Sequence, residues 1–193
     1  ILRIFWKEIA EAKYQEDNEK VKRLYQRVSK SLYFIGALAA GGLIPWSTEI
    51  ITLLLGAAYS GGTFTLMLML LYPIHQSMGQ IGGAMLYATK HTRIQVILGS
   101  IFMAVSIIVA YFMLAPESMI VPGLGLASQG LAIKMVIMSI IQVNVLSWII
   151  AKIFVWKFEW VYQVVGLSLA VAAGWIAKLF VEFIITAHVT VLM

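Results

Sequence analysis

The sequence predicts an all-α protein, a polytopic bundle of transmembrane helices with five crossings and the start of a sixth. Three observations carry this. The 193 residues are 61% apolar and 12% charged, whereas soluble globular domains run nearer 45–50% and about 25%. Long stretches free of acids and bases recur, the clearest being Thr63 to Ala88, 26 residues with no Asp, Glu, Lys or Arg. At 1.5 Å per residue it reaches about 39 Å, enough to cross a hydrocarbon core of about 30 Å with some tilt. Finally, twelve of the fourteen Lys and Arg fall in alternate connections between the apolar stretches, the asymmetry that orients chains in membranes.

Residues 1–30 are amphipathic and carry eight of those bases. Glu16-Asp17-Asn18 breaks the segment with residues that cap helices. Val21, Leu24, Tyr25 and Val28 then repeat at helical spacing. This reads as a solvated juxtamembrane segment whose basic face meets anionic headgroups. Residues 31–46 form the first crossing together with the basic turn before it. Gly36, Ala37, Ala39, Ala40, Gly41 and Gly42 let another helix approach closely, and Trp46 suits the interface. Ser47 or Thr48 caps a short helix over 50–55, too short to span, that stops at Gly56.

The remaining crossings follow at 63–88, 94–114, 127–150 and 161–183. The third is almost purely apolar and is expected to face lipid over much of its length. Trp156 and Trp160 anchor the turn before the fifth, and Lys178 and Glu182 stand one turn apart, a spacing that lets them pair. Thr186 to Met193 reads as the start of a sixth crossing. The basic connections are 1–30, 89–93 and 151–160, while 47–62 and 115–126 carry no base. The expectation is a multi-pass protein of the plasma membrane with a cytoplasmic N-terminal segment. The chain begins at Ile1 without methionine and ends in the apolar run HVTVLM, so a piece of a longer protein is expected.

The 63–88 crossing is not uniform. At 100° per residue, Tyr72, His75, Gln76, Gly79, Gln80, Gly83 and Tyr87 fall on an arc of roughly 140°. Ile74, Met78, Ile81, Ala84, Met85 and Ala88 fall on the other side, with Ser77 the one polar intruder. Such a helix is expected to turn one side to protein or water and the other to lipid. Pro73 removes a backbone donor and offers a hinge; Gly79, Gly82 and Gly83 allow close packing or bending. His75, Gln76 and Gln80 read either as donors lining a substrate pathway or as interhelical hydrogen bonds. Lys134 reads as a contact for an anionic group or as a cation snorkelling to the interface. Gln142 and Asn144 lie about 160° apart on their helix, so they face different surroundings.

Catalytic patterns are lacking. The three histidines stand on three separate segments with no HExxH or carboxylate cluster, so no metal site is expected. No phosphate-binding glycine loop is present, there is no cysteine for a disulfide or thiol chemistry, and no cofactor is expected. The localised basic charge serves orientation in the bilayer and does not point to nucleic acid.

Four stretches in order resemble the C-terminal half of the oligosaccharide and polysaccharide flippases of the multidrug/oligosaccharidyl-lipid/polysaccharide export superfamily. They are FWKEIAEAKYQEDNEKVKRLYQRV (5–28), EIITLLLGAAYSGG (49–62), ATKHTR (88–93) and GLGLASQGLAIKM (123–135). Lys134 departs from the pattern, standing where a small or polar residue is usual. The resemblance implies two six-helix lobes around a cavity that alternates in access, with this chain supplying most of the second lobe. It implies transport of a lipid-linked sugar without covalent chemistry, with membrane lipid and an N-terminal lobe of the same protein as partners. A multidrug or cation exporter lobe is the alternative within the superfamily, and a non-transporting membrane scaffold the alternative outside it. The acids beyond residue 30 all sit near helix ends, which favours the sugar-lipid over a cation.

Overall fold

The computed structural model describes residues 2–191, with side chains over 3–186. The elements are α1 (Leu2–Tyr14), α2 (Asn18–Leu43), a 3-10 turn at Ile44–Trp46, α3 (Ser47–Leu55), a second 3-10 stretch at Ala57–Gly62, α4 (Thr63–Ala88), α5 (Thr92–Leu114), α6 (Ala127–Ile153) and α7 (Val161–Val191). No strand occurs among the described residues. Five helical stretches are long and apolar enough to span a membrane. The chain is an all-helical multi-pass bundle, as its composition demands.

Three expected boundaries move. The juxtamembrane segment and the first crossing are one helix, α2, because no Gly or Pro interrupts residues 18–35. The true break is at 15–17, where Glu16 takes a positive φ of 57° and the Asp17 carboxylate accepts from the Lys20 amide at 2.8 Å, an N-cap. Ahead of it, α1 is no solvated arm. Its Phe5, Ile9 and Ala12 are buried in one core cluster with Ile81, Met85 and Leu86 of α4. At the other end, α7 runs through Thr186 without a break, since nothing after Gly174 disrupts a helix. The expected sixth crossing is therefore a continuation of the fifth as far as Val191; residues 192 and 193 lie outside the described residues.

Helix α4 is the centre of the bundle, packing on α2, α6 and α1 and joined to α5 by a tight turn. Its apolar side was expected to meet lipid. Instead Ile74, Met78, Ile81 and Met85 are buried, in two clusters completed by Tyr33, Ala37 and Ala40 of α2 and by Val143, Leu146 and Ile150 of α6. Lipid and protein core are equally apolar, so a helix wheel separates two environments without saying which is which. Ser77, like Ala84 and Ala88 on that side, is half-buried, and its hydroxyl donates to the Pro73 carbonyl at 2.6 Å. That local bond makes a half-buried serine tolerable. Pro73 leaves the Met69 carbonyl without its helical donor, yet α4 continues as a single helix.

The connections sort to two ends. At one end gather 1–30, 89–93 and 151–160. Lys30 pairs with Glu159 at 2.5 Å, the Tyr25 ring lies 6.1 Å from Trp156, His91 lies 5.9 Å from Phe154, and Lys13 sits over Phe154. These are the three basic connections. At the far end Lys178 donates to Glu49 at 2.5 Å and to the Pro45 carbonyl at 2.8 Å, and it lies over the Trp46 ring. Glu182, the partner expected from sequence, is farther away at 3.8 Å. Lys178 reaches Glu49 as well because α7 packs against the Ile44–Trp46 turn, which brings that carboxylate and the Pro45 carbonyl within reach.

Helix α5 has no buried residue. Ile97, Ile101, Ile107 and Ile108 are all more than half exposed. A surface that apolar is stable against lipid and not against water, as its composition predicts.

Candidate functional site

A cavity of about 620 Å³ opens between α4, α5 and α6, with the start of α1 at one end. From α4 it takes Tyr72, Gln76, Gly79, Gln80, Gly83 and Tyr87, the polar arc without His75, together with Ala84 from the edge of the other side. Gln76 and Gln80 were among the residues singled out by sequence. Lys134 of α6 is brought to the same cavity, with Gln142 about two turns further along the helix.

The direction of the cavity follows from packing. A Cβ on Gly79 would lie 3.3 Å from Val143, and one on Gly82 would lie 2.6 Å from the Leu146 side chain. The two helices therefore run parallel in register. That register sets Lys134 at the level of Leu70, just beyond Tyr72 toward the far end, while Arg3 and Trp6 of α1 line the cavity at the basic end. From Tyr72 to Tyr87 the wall is about 22 Å long at 1.5 Å per residue, most of the depth of a hydrocarbon core. Gly82 is a packing residue and takes no part in the lining; Gly83 lines the cavity and meets the Gln95 amide, 3.2 Å from the place of a Cβ.

The chemistry of the wall is one-sided. It carries four amides (Gln76, Gln80, Gln95 and Gln142), two cations (Arg3 and Lys134) and no Asp or Glu among the described residues. Neither Gln76, Gln80, Gln142 nor Lys134 makes a hydrogen bond or ion pair among the described residues, and the Gln95 carbonyl oxygen is buried without a partner. An amide left unpaired in apolar surroundings costs about 1–3 kcal/mol. A hydrated or ligand-filled cavity removes that cost.

His75 goes elsewhere. It is 5% exposed and packs edge-on against the Tyr33 ring at 6.3 Å. It lines a second cleft of about 530 Å³ beside α6 and α7, with Asn144 and Gln163. There Asn144 and Gln163 exchange amide hydrogen bonds at 3.3 and 3.2 Å, and the Tyr33 hydroxyl donates to the Gln163 carbonyl. Interhelical amide pairing does occur in this bundle, then, but on the side opposite Gln76 and Gln80. His75 is moved out of the expected pathway because it lies one position, 100°, from Gln76, and Tyr33 of α2 occupies the space on that side.

Sequence reasoning missed Gln95, Ser106, Ser139 and Arg3, all of which line the larger cavity. For α5 a signal existed. Gln95, Gly99 and Ser106 fall within about 40° of one another on the helix wheel, a narrow polar and small stripe in an otherwise apolar helix. Arg3 had no such signal, because its place depends on α1 folding back onto α4. Among the described residues no cluster of His, Asp or Glu has the makings of a metal site.

Comparison with protein-family models, with curated proteins and with solved structures gives no match.

Proposed function

We propose that this bundle is one lobe of a flippase that moves a lipid-linked oligosaccharide across the plasma membrane, with the α4–α5–α6 cavity carrying its headgroup. The observation that carries the reading is the wall itself: unpaired amides and two cations without an acid, along about 22 Å of the bundle. Sugar hydroxyls pair with amides, and a phosphate or pyrophosphate pairs with Lys or Arg. The apolar outer face of α5 beside the cavity leaves room for the lipid tail to stay in the bilayer. A carrier of organic cations would instead want a carboxylate in this wall, so the drug-exporter reading has less support. The chemistry is binding and release with no covalent step. In the same proposal the basic end is cytoplasmic, following the charge asymmetry, and an N-terminal lobe of the same protein closes the cavity from the other side.

The test is export of lipid-linked sugar by cells whose protein carries Gln76→Leu with Gln80→Leu. Export is expected to fall to background while membrane abundance stays near normal. Normal export would overturn the headgroup assignment. Lost abundance would instead make the arc an assembly element.

A further inference from the structure

Twelve bases stand in the three connections at the basic end, and of these Arg3 alone lines the larger cavity among the described residues. It is there because Phe5, Ile9 and Ala12 seat α1 on α4, in one core cluster with Ile81, Met85 and Leu86. Trp6 follows three residues later, so the two side chains share a face of α1, and Trp6 lines the cavity too. Neither side chain is committed to the bundle. Among the described residues Arg3 makes no ion pair and Trp6 no ring contact, whereas Lys30 and Lys178 hold carboxylates and Trp156 stacks on Phe154. Both Arg3 and Trp6 are exposed.

Lys134 is the other cation of the wall, level with Leu70. From Leu70 to Ile81 is about 16 Å along α4, and Met85 and Leu86 lie farther on. The two cations are therefore set too far apart to share one pyrophosphate, but a short oligosaccharide attached to that pyrophosphate spans the distance. Between them the wall offers the amides of Gln76, Gln80 and Gln95, which suit neutral hydroxyls. The wall holds no Asp or Glu among the described residues, so the second cation has no counter-charge of the protein's own.

We propose that the oligosaccharide is acidic, with Lys134 holding the pyrophosphate while Arg3 holds a carboxylate on a sugar at the other end of the headgroup. The proposal rests on the headgroup reading of the cavity and names the class of sugar it selects. A guanidinium meets a carboxylate through two parallel hydrogen bonds, a geometry that a neutral sugar does not offer. Trp6 supplies the flat apolar face on which the C–H side of a pyranose ring rests, beside the guanidinium. Because Arg3 is exposed and Phe5, Ile9 and Ala12 do the packing, the arginine serves selection and not the fold of α1.

The test uses the full chain in nanodiscs and two synthetic probes. Both are short-chain prenyl-pyrophosphate tetrasaccharides, one ending in glucuronate and the other in glucose. The unsubstituted chain is expected to bind the glucuronate probe about tenfold more tightly, the worth of one charge-assisted pair. Arg3→Gln is expected to erase that preference and leave the glucose probe unchanged, and Arg3→Lys to keep part of it. Lys134→Gln is expected to weaken both probes alike and preserve their ratio. Equal binding of the two probes by the unsubstituted chain overturns the acidic-sugar proposal; if Lys134→Gln still weakens both, the headgroup reading stands without it. Binding of neither probe removes both. Weakening of the glucose probe by Arg3→Gln would mean that the two cations converge on the pyrophosphate, and that also overturns the proposal. Trp6→Leu is expected to weaken both probes and Trp6→Phe neither; unchanged binding in Trp6→Leu would take the sugar off α1 and overturn the proposal from that side.

Discussion

The carbonyl oxygen of Gly41 on α2 lies 1.9 Å from where a Cβ on Gly174 of α7 would stand. The reverse view is as tight: a Cβ on Gly41 would lie 2.4 Å from the Ala170 carbonyl oxygen. Both obstacles are backbone, so no rotamer change relieves them. The two helices meet as Ala37-Gly41 against Ala170-Gly174, small residues one turn apart on each side, where close approach replaces the hydrophobic drive that lipid cannot give.

Gly174→Ala is therefore expected to force α7 away from α2 and destabilise the bundle by about 1–3 kcal/mol, the usual range for overpacking. Gly42→Ala is the control, because nothing stands within 4 Å of a Cβ there, and it is expected to change little. Thermal unfolding of the two variants in the same detergent decides. Equal midpoints would mean that α2 and α7 do not meet at this contact in the membrane.

The two ends of the bundle make a prediction about topology. Gln26, Thr92 and Lys157 belong to connections gathered at the basic end, Ser60 and Ser118 to those at the far end. In the cysteine-free chain, single cysteines at Ser60 and Ser118 are expected to react with an impermeant thiol reagent added outside intact cells. Cysteines at Gln26, Thr92 and Lys157 are expected to react only after the membrane is opened. Outside labelling at Thr92 would break the five-crossing arrangement, since Thr92 begins α5 directly after the turn from α4.

The sequence-level reading reached the helices and the ends for a simple reason. Crossing length and charge asymmetry are one-dimensional quantities, set by bilayer thickness and by the cost of moving charge across it. Helix neighbours are not one-dimensional. The wheel of α4 separated Gln76 and Gln80 from Ile74 and Met78, and that division holds. It gave the apolar side to lipid, and that failed because α1 and α2 cover Ile81 and Met85. His75 was misplaced for a related reason. One residue is 100° on a helix, and only the position of Tyr33 decides on which side of the boundary the ring falls. Lys178 does pair with Glu182, at 3.8 Å, as the spacing predicts, but spacing along one helix could not show Glu49, 129 residues away and nearer at 2.5 Å.

Lys134 gives the sharpest test of the cavity. It stands seven residues into α6 from Ala127, about 10 Å along the helix axis, lines the cavity and has no ion pair among the described residues. Two roles fit that position and they separate experimentally. A headgroup contact acts on affinity, and a snorkelling anchor acts on insertion and stability. A charge-assisted hydrogen bond contributes about 1.5–3 kcal/mol, which corresponds to roughly ten- to a hundredfold in Kd. Lys134→Gln in nanodiscs is expected to weaken binding of a short-chain prenyl-pyrophosphate sugar by that factor, and Lys134→Arg to restore most of it. Thermal stability is expected to be nearly unchanged in both. Ile107→Ala is the right control on α5, being well exposed to lipid. Its neighbour Ser106 lines the cavity, and Ser106→Leu is expected to narrow the cavity and weaken binding. If Lys134→Gln binds the probe as tightly as the unsubstituted chain, the far end of the cavity takes no anion, and the headgroup must be held by Arg3 and the glutamines alone.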